Sequence, residues 1–140
     1  MGSLIDTNVW SELQKGERAN PGVRRWYRCV LVRELYFSVL VIGELRRGID
    51  SLRRRDAAQA NRLEIRLADL YAKMSGRILP VSAAIAERWG RLNVPDPFPT
   101  VDGLLAATAL EYDLVLITRN VRDIERSGVR YFNPFEEPAA

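Results

Sequence analysis

Apolar and polar positions along this chain switch repeatedly between a strand-like run and a helical period. The run SLID (3–6) predicts a short buried strand, and TNVWSELQKG (7–16) then reads as a helix ending at Gly16. ERANPG breaks and restarts the pattern. Asn20 suits an N-cap, Pro21 the first helical position, and VRRWYRCVLV carries that helix to about residue 32. ELYFSV (34–39), β-branched and aromatic, predicts a second strand. Over 41–55, apolar residues at 41, 42, 45, 49 and 52 recur at helical spacing opposite an arginine-rich face. Asp56 caps a further helix to about Ser75, with Leu63, Leu67, Leu70 and Met74 in register and Ile65 and Tyr71 broadening the apolar surface. RILPV (77–81) predicts a third strand, and Ser82 caps a helix over 82–93. VPDPFPT (94–100), with three prolines, is a loop. VDGLLAATALEY (101–112) predicts a helix, DLVLIT (113–118) a fourth strand, RNVRDIERSG (119–128) a turn and short helix, and VRYFNP (129–134) a last strand.

Strands separated by helical segments predict an α/β domain whose sheet is mostly parallel and covered by helices on both faces. The 140 residues suit one domain, 1–140, with a real core. In such sheets ligands bind beyond the carboxyl ends of the strands, near a topological switch point. A functional acid should therefore follow a strand or open the helix after it.

Composition narrows the chemistry. There is no histidine, which removes the Ser-His-Asp triad, histidine acid–base catalysis and nearly every transition-metal site. Cys29 is the sole cysteine, so an internal disulfide or a cysteine-cluster zinc site is excluded. Any enzyme built here has to work with carboxylates or a hard cation. The net charge of +3 and pI near 9.3 are compatible with nucleic acid and do not establish it. Nearly all the basic charge is arginine, a residue suited to bidentate phosphate contacts, although genome composition gives the same bias. No apolar run approaches a membrane span, and MGSLIDT lacks the layout of a secretory signal. A cytoplasmic protein is the expectation.

Four acids meet the positional test. Asp6 follows the first strand; Glu44 lies on the helix after the second, among Val41, Ile42 and Leu45; Asp102 opens a helix otherwise almost uncharged; Asp123 lies five residues past the fourth strand. Each has a bland explanation. Asp6, Asp102 and Asp123 could cap helices or favour their N-termini, and Glu44 could be a solvated charge. Jointly they make a different case. Carboxylates gathered at one point repel unless a cation sits between them, and Mg²⁺ or Mn²⁺ suits an all-oxygen site. Thr7, Asn8, Ser11, Thr118 and Asn120 add hydroxyl and amide groups near the same edge, with turn formation and capping as their ordinary roles.

LIDTNVWSEL, VIGELRRGI, VDGLLAATAL and LVLITRNVRDIERSGVRYFNPF together resemble the PIN-domain ribonucleases, most of all toxins of the VapC type in the FitB-like subgroup. The resemblance runs from residue 4 to about residue 135, in motif order. It implies a PIN-like three-layer sandwich and a Mg²⁺-dependent endoribonuclease in which water attacks an RNA phosphodiester. It carries over Asp6 and Asp102 as direct or nearly direct ligands, Glu44 as a ligand or holder of bound water, and Asp123 as the acid that completes the site. Thr7, Asn8, Ser11, Thr118, Arg119 and Asn120 become candidates for contacts behind the acids or to RNA phosphate. Ile124 stands where an aromatic is common, a departure in packing rather than chemistry. MGS supplies few apolar residues, so the first strand is expected to be loosely held.

The resemblance also implies a cognate antitoxin, VapB- or FitA-like with a DNA-binding end, and a homodimer of the toxin within the complex. The apolar faces of 41–52 and 63–74 could form the groove that receives the antitoxin, or could simply pack on each other. Arg46, Arg47, Arg53, Arg54 and Arg55 could bind RNA backbone, pair with the antitoxin or stay solvated. Three other functions compete: an aspartyl-phosphate phosphatase, disfavoured because Asn8 stands where a second acid is wanted; an RNA-processing PIN nuclease that is not a toxin; and a PIN module that binds RNA or protein without cutting.

Overall fold

The computed structural model describes residues 1–136; of the expected 1–140 domain, residues 137–140 lie outside the described residues. Five strands, β1 (Ser3–Ile5), β2 (Leu35–Ser38), β3 (Ile78–Leu79), β4 (Val115–Ile117) and β5 (Tyr131–Phe132), form one sheet in the order β3-β2-β1-β4-β5. All four pairings are parallel, Leu4 standing opposite Tyr36 on one side and Leu116 on the other. The helices are α1 (Thr7–Leu13), α2 (Pro21–Cys29), α3 (Val39–Arg53), α4 (Ala57–Lys73), α5 (Ala83–Leu92) and α6 (Thr100–Tyr112). Successive residues of a strand point to opposite faces, yet Leu4 and Ile5 are both buried, as are Leu116 and Ile117. Both faces of the sheet are therefore covered, the expected three-layer sandwich.

The first strand is not loosely held. It is the central strand, clamped between β2 and β4, and even Ser3 is buried. Ladder hydrogen bonds from two neighbours compensate for its short apolar run. The chain lays β1, β2 and β3 to one side, then returns through α5 and α6 to place β4 on the other side of β1. The switch point thus falls between β1 and β4, where the adjoining loops diverge and leave a crevice.

Caps fix most helix starts where the sequence places them. Asp6 accepts from Thr7 N, Asn20 from Gly22 N and Val23 N, Asp56 from Gln59 N and Ser82 from Ile85 N. The ends differ more. The first helix stops at Leu13, followed by a 3-10 turn over Gly16–Arg18, and Gly16 takes φ 62°. The second stops at Cys29, because Val30 is already extended. The fourth strand starts at Val115 because Asp113 adopts the left-handed conformation that ends α6. The stretch 119–128 holds two 3-10 turns, Val121–Asp123 and Glu125–Ser127, in place of a short helix. Helices α3 and α4 pack on each other through Leu45, Ile49, Ala60 and Leu67, all buried. Arg46 and Arg53 join the pair by converging on Glu64, at 2.6 and 2.9 Å. Arg46 and Arg53 are thus paired within the fold, as is most of the two apolar faces, while Ile65 and Tyr71 of the second face and Arg47, Arg54 and Arg55 stay exposed.

Candidate active site at the carboxyl edge of the sheet

Asp6 directly follows β1 and Thr118 directly follows β4, so the parallel pairing, which ends with Ile5 opposite Ile117, brings them together across the switch point. Thr118 Oγ1 donates to Asp6 Oδ2 at 2.7 Å, wholly buried, and the Thr118 hydroxyl accepts from Asn120 N at 2.9 Å. Asn8 Nδ2 adds a longer bond to Asp6 Oδ2 at 3.3 Å, and Thr7 N donates to Oδ1 at 2.7 Å. An ionised carboxylate offers about four lone-pair positions. Three donors therefore lock Asp6 and leave it acceptor capacity. Burial pushes its carboxyl above the usual aspartate range and the nearby charge of Glu44 adds to this, against the pull of Thr118, Thr7 N and Asn8.

Glu44, on α3, accepts from Thr7 Oγ1 at 2.6 Å, which ties the second acid to the helix that Asp6 caps. Asp102 lies in the first turn of α6, whose N-cap is Pro99 and not a side-chain acceptor. Asp102 therefore caps nothing, although its charge in the first turn still complements the helix dipole. Burial raises the Asp102 carboxyl, the charge of Asp6 raises it further, Asn120 opposes with a long 3.5 Å bond, and Asp123 and Glu44 add smaller repulsions. Asp6, Glu44 and Asp102 line one cavity of about 330 Å³ with Thr7, Asn8, Arg119 and Asn120. Asp123 does not line it. It is exposed on its 3-10 turn and reaches the cavity through its charge on Asp102. Ser11 is exposed on α1 and takes no part in the lining.

The position of Asp102 depends on tight packing beneath it. A side chain at Gly103 would meet Phe98 Cβ at 3.0 Å and Trp89 Cδ1 and Nε1 at 3.2 Å. The loop before α6 is gripped by Arg126, which donates to the Asp96 and Pro97 carbonyls at 2.9 and 2.8 Å and lies over the Phe98 ring. Asn8 earns its place as a linker rather than an acid: its amide donates to Asp6 while its carbonyl accepts from Arg119 N at 3.2 Å.

Two neighbours escaped the sequence reading. Glu12 is buried on α1 and accepts from Lys15 Nζ at 2.9 Å and Asn20 N at 2.8 Å. Burial works against its charge, but these two donors and the positive charges of Lys15 and Arg119 hold its carboxyl below the usual glutamate range. Phe135 carries the Arg119 guanidinium on its ring face at 3.8 Å. No periodicity signals either contact.

A divalent ion fits this donor set in a specific manner. The ligating atoms on offer are carboxylate, hydroxyl and amide oxygens, with neither nitrogen heterocycle nor sulfur. Among the described residues no three acids close on one point. A hard divalent ion that completes its shell with water needs only one or two of these carboxylates.

A second cleft of about 420 Å³ lies elsewhere, between α1, α2 and α4. Its floor includes Trp10, Phe37 and Leu70, and Arg24, Arg66 and Lys73 stand around it. It is lined only by the far end of the face expected over 63–74.

Known proteins extend these observations. The chain is 30% identical to the VapC ribonuclease Y4jK of Sinorhizobium fredii, over 95% of this chain and 97% of that one. The crystal structure of FitAcB from Neisseria gonorrhoeae superposes with a TM-score of 0.88 at 28% identity, covering 96% of this chain and 99% of that one. A toxin-antitoxin complex from Klebsiella pneumoniae follows at 0.70 and 25% identity, with 97% and 100% covered. Residues 3–128 match the PIN domain, and with the acid-lined crevice at its switch point this chain belongs to the PIN-domain family.

Proposed function

We propose that this chain is the ribonuclease toxin of a toxin–antitoxin pair, cleaving RNA with a divalent ion held by Asp6 and Asp102 while Glu44 holds its water. The observation that carries the proposal is the shared cavity: three acids from three separate segments line about 330 Å³ at the switch point. The VapC ribonuclease and toxin–antitoxin relatives, matched over nearly their whole lengths, support the substrate and the setting. When bound, the ion supplies positive charge for a phosphodiester and lowers the pKa of its water; Mg²⁺ is proposed, with Mn²⁺ as a substitute.

The chain's own groups prepare that chemistry. Thr118, Asn8 and the Thr7 amide fix Asp6. Thr7 holds Glu44 by Oε1, which leaves Oε2 to take the proton of the attacking water. Asn120 steadies Asp102, and Asp123 adds negative charge from outside the cavity wall. Arg119 supplies the cationic counterpart, bringing an RNA phosphate up to acids that would otherwise repel it.

The partner is an antitoxin, VapB- or FitA-like with a DNA-binding end, and the toxin pairs as a homodimer inside the complex. The cleft between α1, α2 and α4, apolar below and basic at its edge, suits an amphipathic segment with acidic flanks. No described helix is long and apolar enough to cross a membrane. The deciding experiment incubates purified, antitoxin-free protein with total bacterial RNA and maps new 5′ ends. Cleavage with Mg²⁺ or Mn²⁺, abolished by EDTA and by Asp102→Asn, is expected. Cleavage that persists in EDTA would reject the metal-dependent reading, and RNA bound without cleavage under any metal would establish a binding module instead.

A further inference from the structure

We infer that Phe135 is a positioning residue for substrate: its ring face holds the Arg119 guanidinium at the rim of the acid cavity, as a preorganised clamp for an RNA phosphate. This rests on the ribonuclease reading above. The guanidinium carbon stands 3.8 Å from the Phe135 ring centroid, while the backbone of Arg119 is anchored by its N–H to Asn8 Oδ1. Among the described residues that guanidinium makes no hydrogen bond and no close ion pair within the chain, and Glu12 acts on it only through its charge. A ring contact occupies the face of a guanidinium and leaves its five edge donors available, and a phosphate needs those donors in their fixed fork.

The platform is itself braced. Phe135 N donates to Asn133 Oδ1 at 3.0 Å, and its carbonyl accepts from Asn20 Nδ2 at 3.4 Å. Asn20 also caps α2 and donates its amide to Glu12. The ring therefore hangs from a 3-10 turn, Pro134–Glu136, that packs on α2 and is bonded to its N-cap, Asn20. A long flexible arginine otherwise loses much conformational entropy when it grips a phosphate, and a stacked one has lost it already. Among the described residues lining the cavity, Arg119 is the sole cation beside three acids, so its placement weighs directly on RNA affinity.

The test uses full-length protein, Mg²⁺ and a labelled RNA oligonucleotide spanning the most frequent cleavage site mapped in total RNA. Phe135→Leu removes the π face and keeps apolar bulk; Phe135→Met replaces it should the leucine variant melt early. KM is expected to rise about 3- to 30-fold, the range of a cation–π contact, with kcat within about twofold. Phe135→Tyr restores KM. Arg119→Gln raises KM similarly, and adding Phe135→Leu to it raises KM no further, since the ring acts only through the arginine. An unchanged KM in Phe135→Leu, failure of Phe135→Tyr to restore it, or additive effects in the double variant would each overturn the inference while leaving the nuclease itself intact. Absence of cleavage by the unsubstituted protein would instead overturn the proposed function.

Discussion

Removing the hydroxyl of Thr118 probes the site through its most buried hydrogen bond. Thr118→Val preserves side-chain shape, and Thr118 is 1% exposed, so water cannot replace what is lost. Two bonds disappear: the 2.7 Å donation to Asp6 Oδ2 and the 2.9 Å acceptance from Asn120 N. A hydrogen bond to a charged group contributes about 1.5–3 kcal/mol and a neutral one about 1. The gained methyl returns at most about 0.8 kcal/mol. The net loss is about 2–3 kcal/mol. With roughly 2.1 cal/mol/K of unfolding entropy per residue, the 140 residues give about 0.29 kcal/mol/K, so the melting temperature should fall by about 7–10 °C.

Function should suffer more than stability implies. Thr118 orients Asp6, and groups that orient a metal ligand typically govern 10- to 100-fold in metal affinity. The Mg²⁺ concentration giving half-maximal RNA cleavage should rise by about that factor, while Thr118→Ser, which keeps the hydroxyl, stays near the parent protein. Calorimetry at pH 7.5 with EDTA and a Mg²⁺ titration of cleavage measure the two effects separately. A valine variant that melts with the parent, or one whose Mg²⁺ requirement is unchanged, would refute the assignment of Thr118 as the group that holds Asp6.

Both raised carboxyls make a pH prediction of definite sign. Asp6 and Asp102 hold their protons to higher pH in the fold than in the unfolded chain, so their contribution to stability is full below the unfolded value and is lost as pH rises through the folded one. Metal-free protein should therefore lose melting temperature as pH climbs from about 4 towards 7.5, and Mg²⁺ should stabilise it far more at the upper end; equal Mg²⁺ effects at both would contradict this. For the same reason Asp102→Asn should melt above the parent in EDTA at pH 7.5 while abolishing cleavage, and a lower melting point would sink the like-charge argument. Gly103→Ala should destabilise by at most about 2 kcal/mol, the strain of a Cβ pressed on Phe98 and Trp89 less the roughly 1 kcal/mol that alanine gains over glycine in a helix; chemical denaturation measures it, and a stabilised variant would mean that Trp89 and Phe98 yield freely. Arg126→Ala should raise the Mg²⁺ requirement with little change in fold, since it frees the loop that leads to Asp102; an unaltered requirement would make that grip irrelevant to the site.

What the sequence discloses here depends on how local each cause is. Caps at Asp6, Asn20, Asp56 and Ser82 are readable because donor and acceptor lie within a few residues. Strand order is not local, so the central place of β1 was hidden behind its short apolar run. Element ends failed where a backbone conformation decided them, as at left-handed Asp113 and extended Val30. Among the residues proposed for the site, Asp6, Glu44 and Asp102 could be nominated because the parallel α/β pattern sends strand ends to one edge. Phe135 could not, because its partner Arg119 is brought to it by the pairing of β4 with β5 and by the brace at Asn20.

The two explanations offered for Asp6, helix cap and site acid, turn out not to compete. One oxygen accepts from Thr7 N and starts α1; the other is held by Thr118 and Asn8 beneath the cavity. Capping requires a carboxylate at a strand-to-helix junction, and a parallel sheet puts that junction at its carboxyl edge, where ligands bind. Position alone thus recruits the cap into the site, and Thr7 extends the arrangement by holding Glu44 from the first residue of the same helix. Burial then opposes the charge that the cap needs, so three donors are required to keep it, and the same three leave acceptor capacity for an ion. A substitution such as Asp6→Asn accordingly removes a ligand, weakens the start of α1 and relieves a buried charge at once, and its stability change reports none of these singly. Asp102, which caps nothing and adds only a first-turn charge to α6, is the acid whose replacement comes nearest to reporting the electrostatics of the cavity alone.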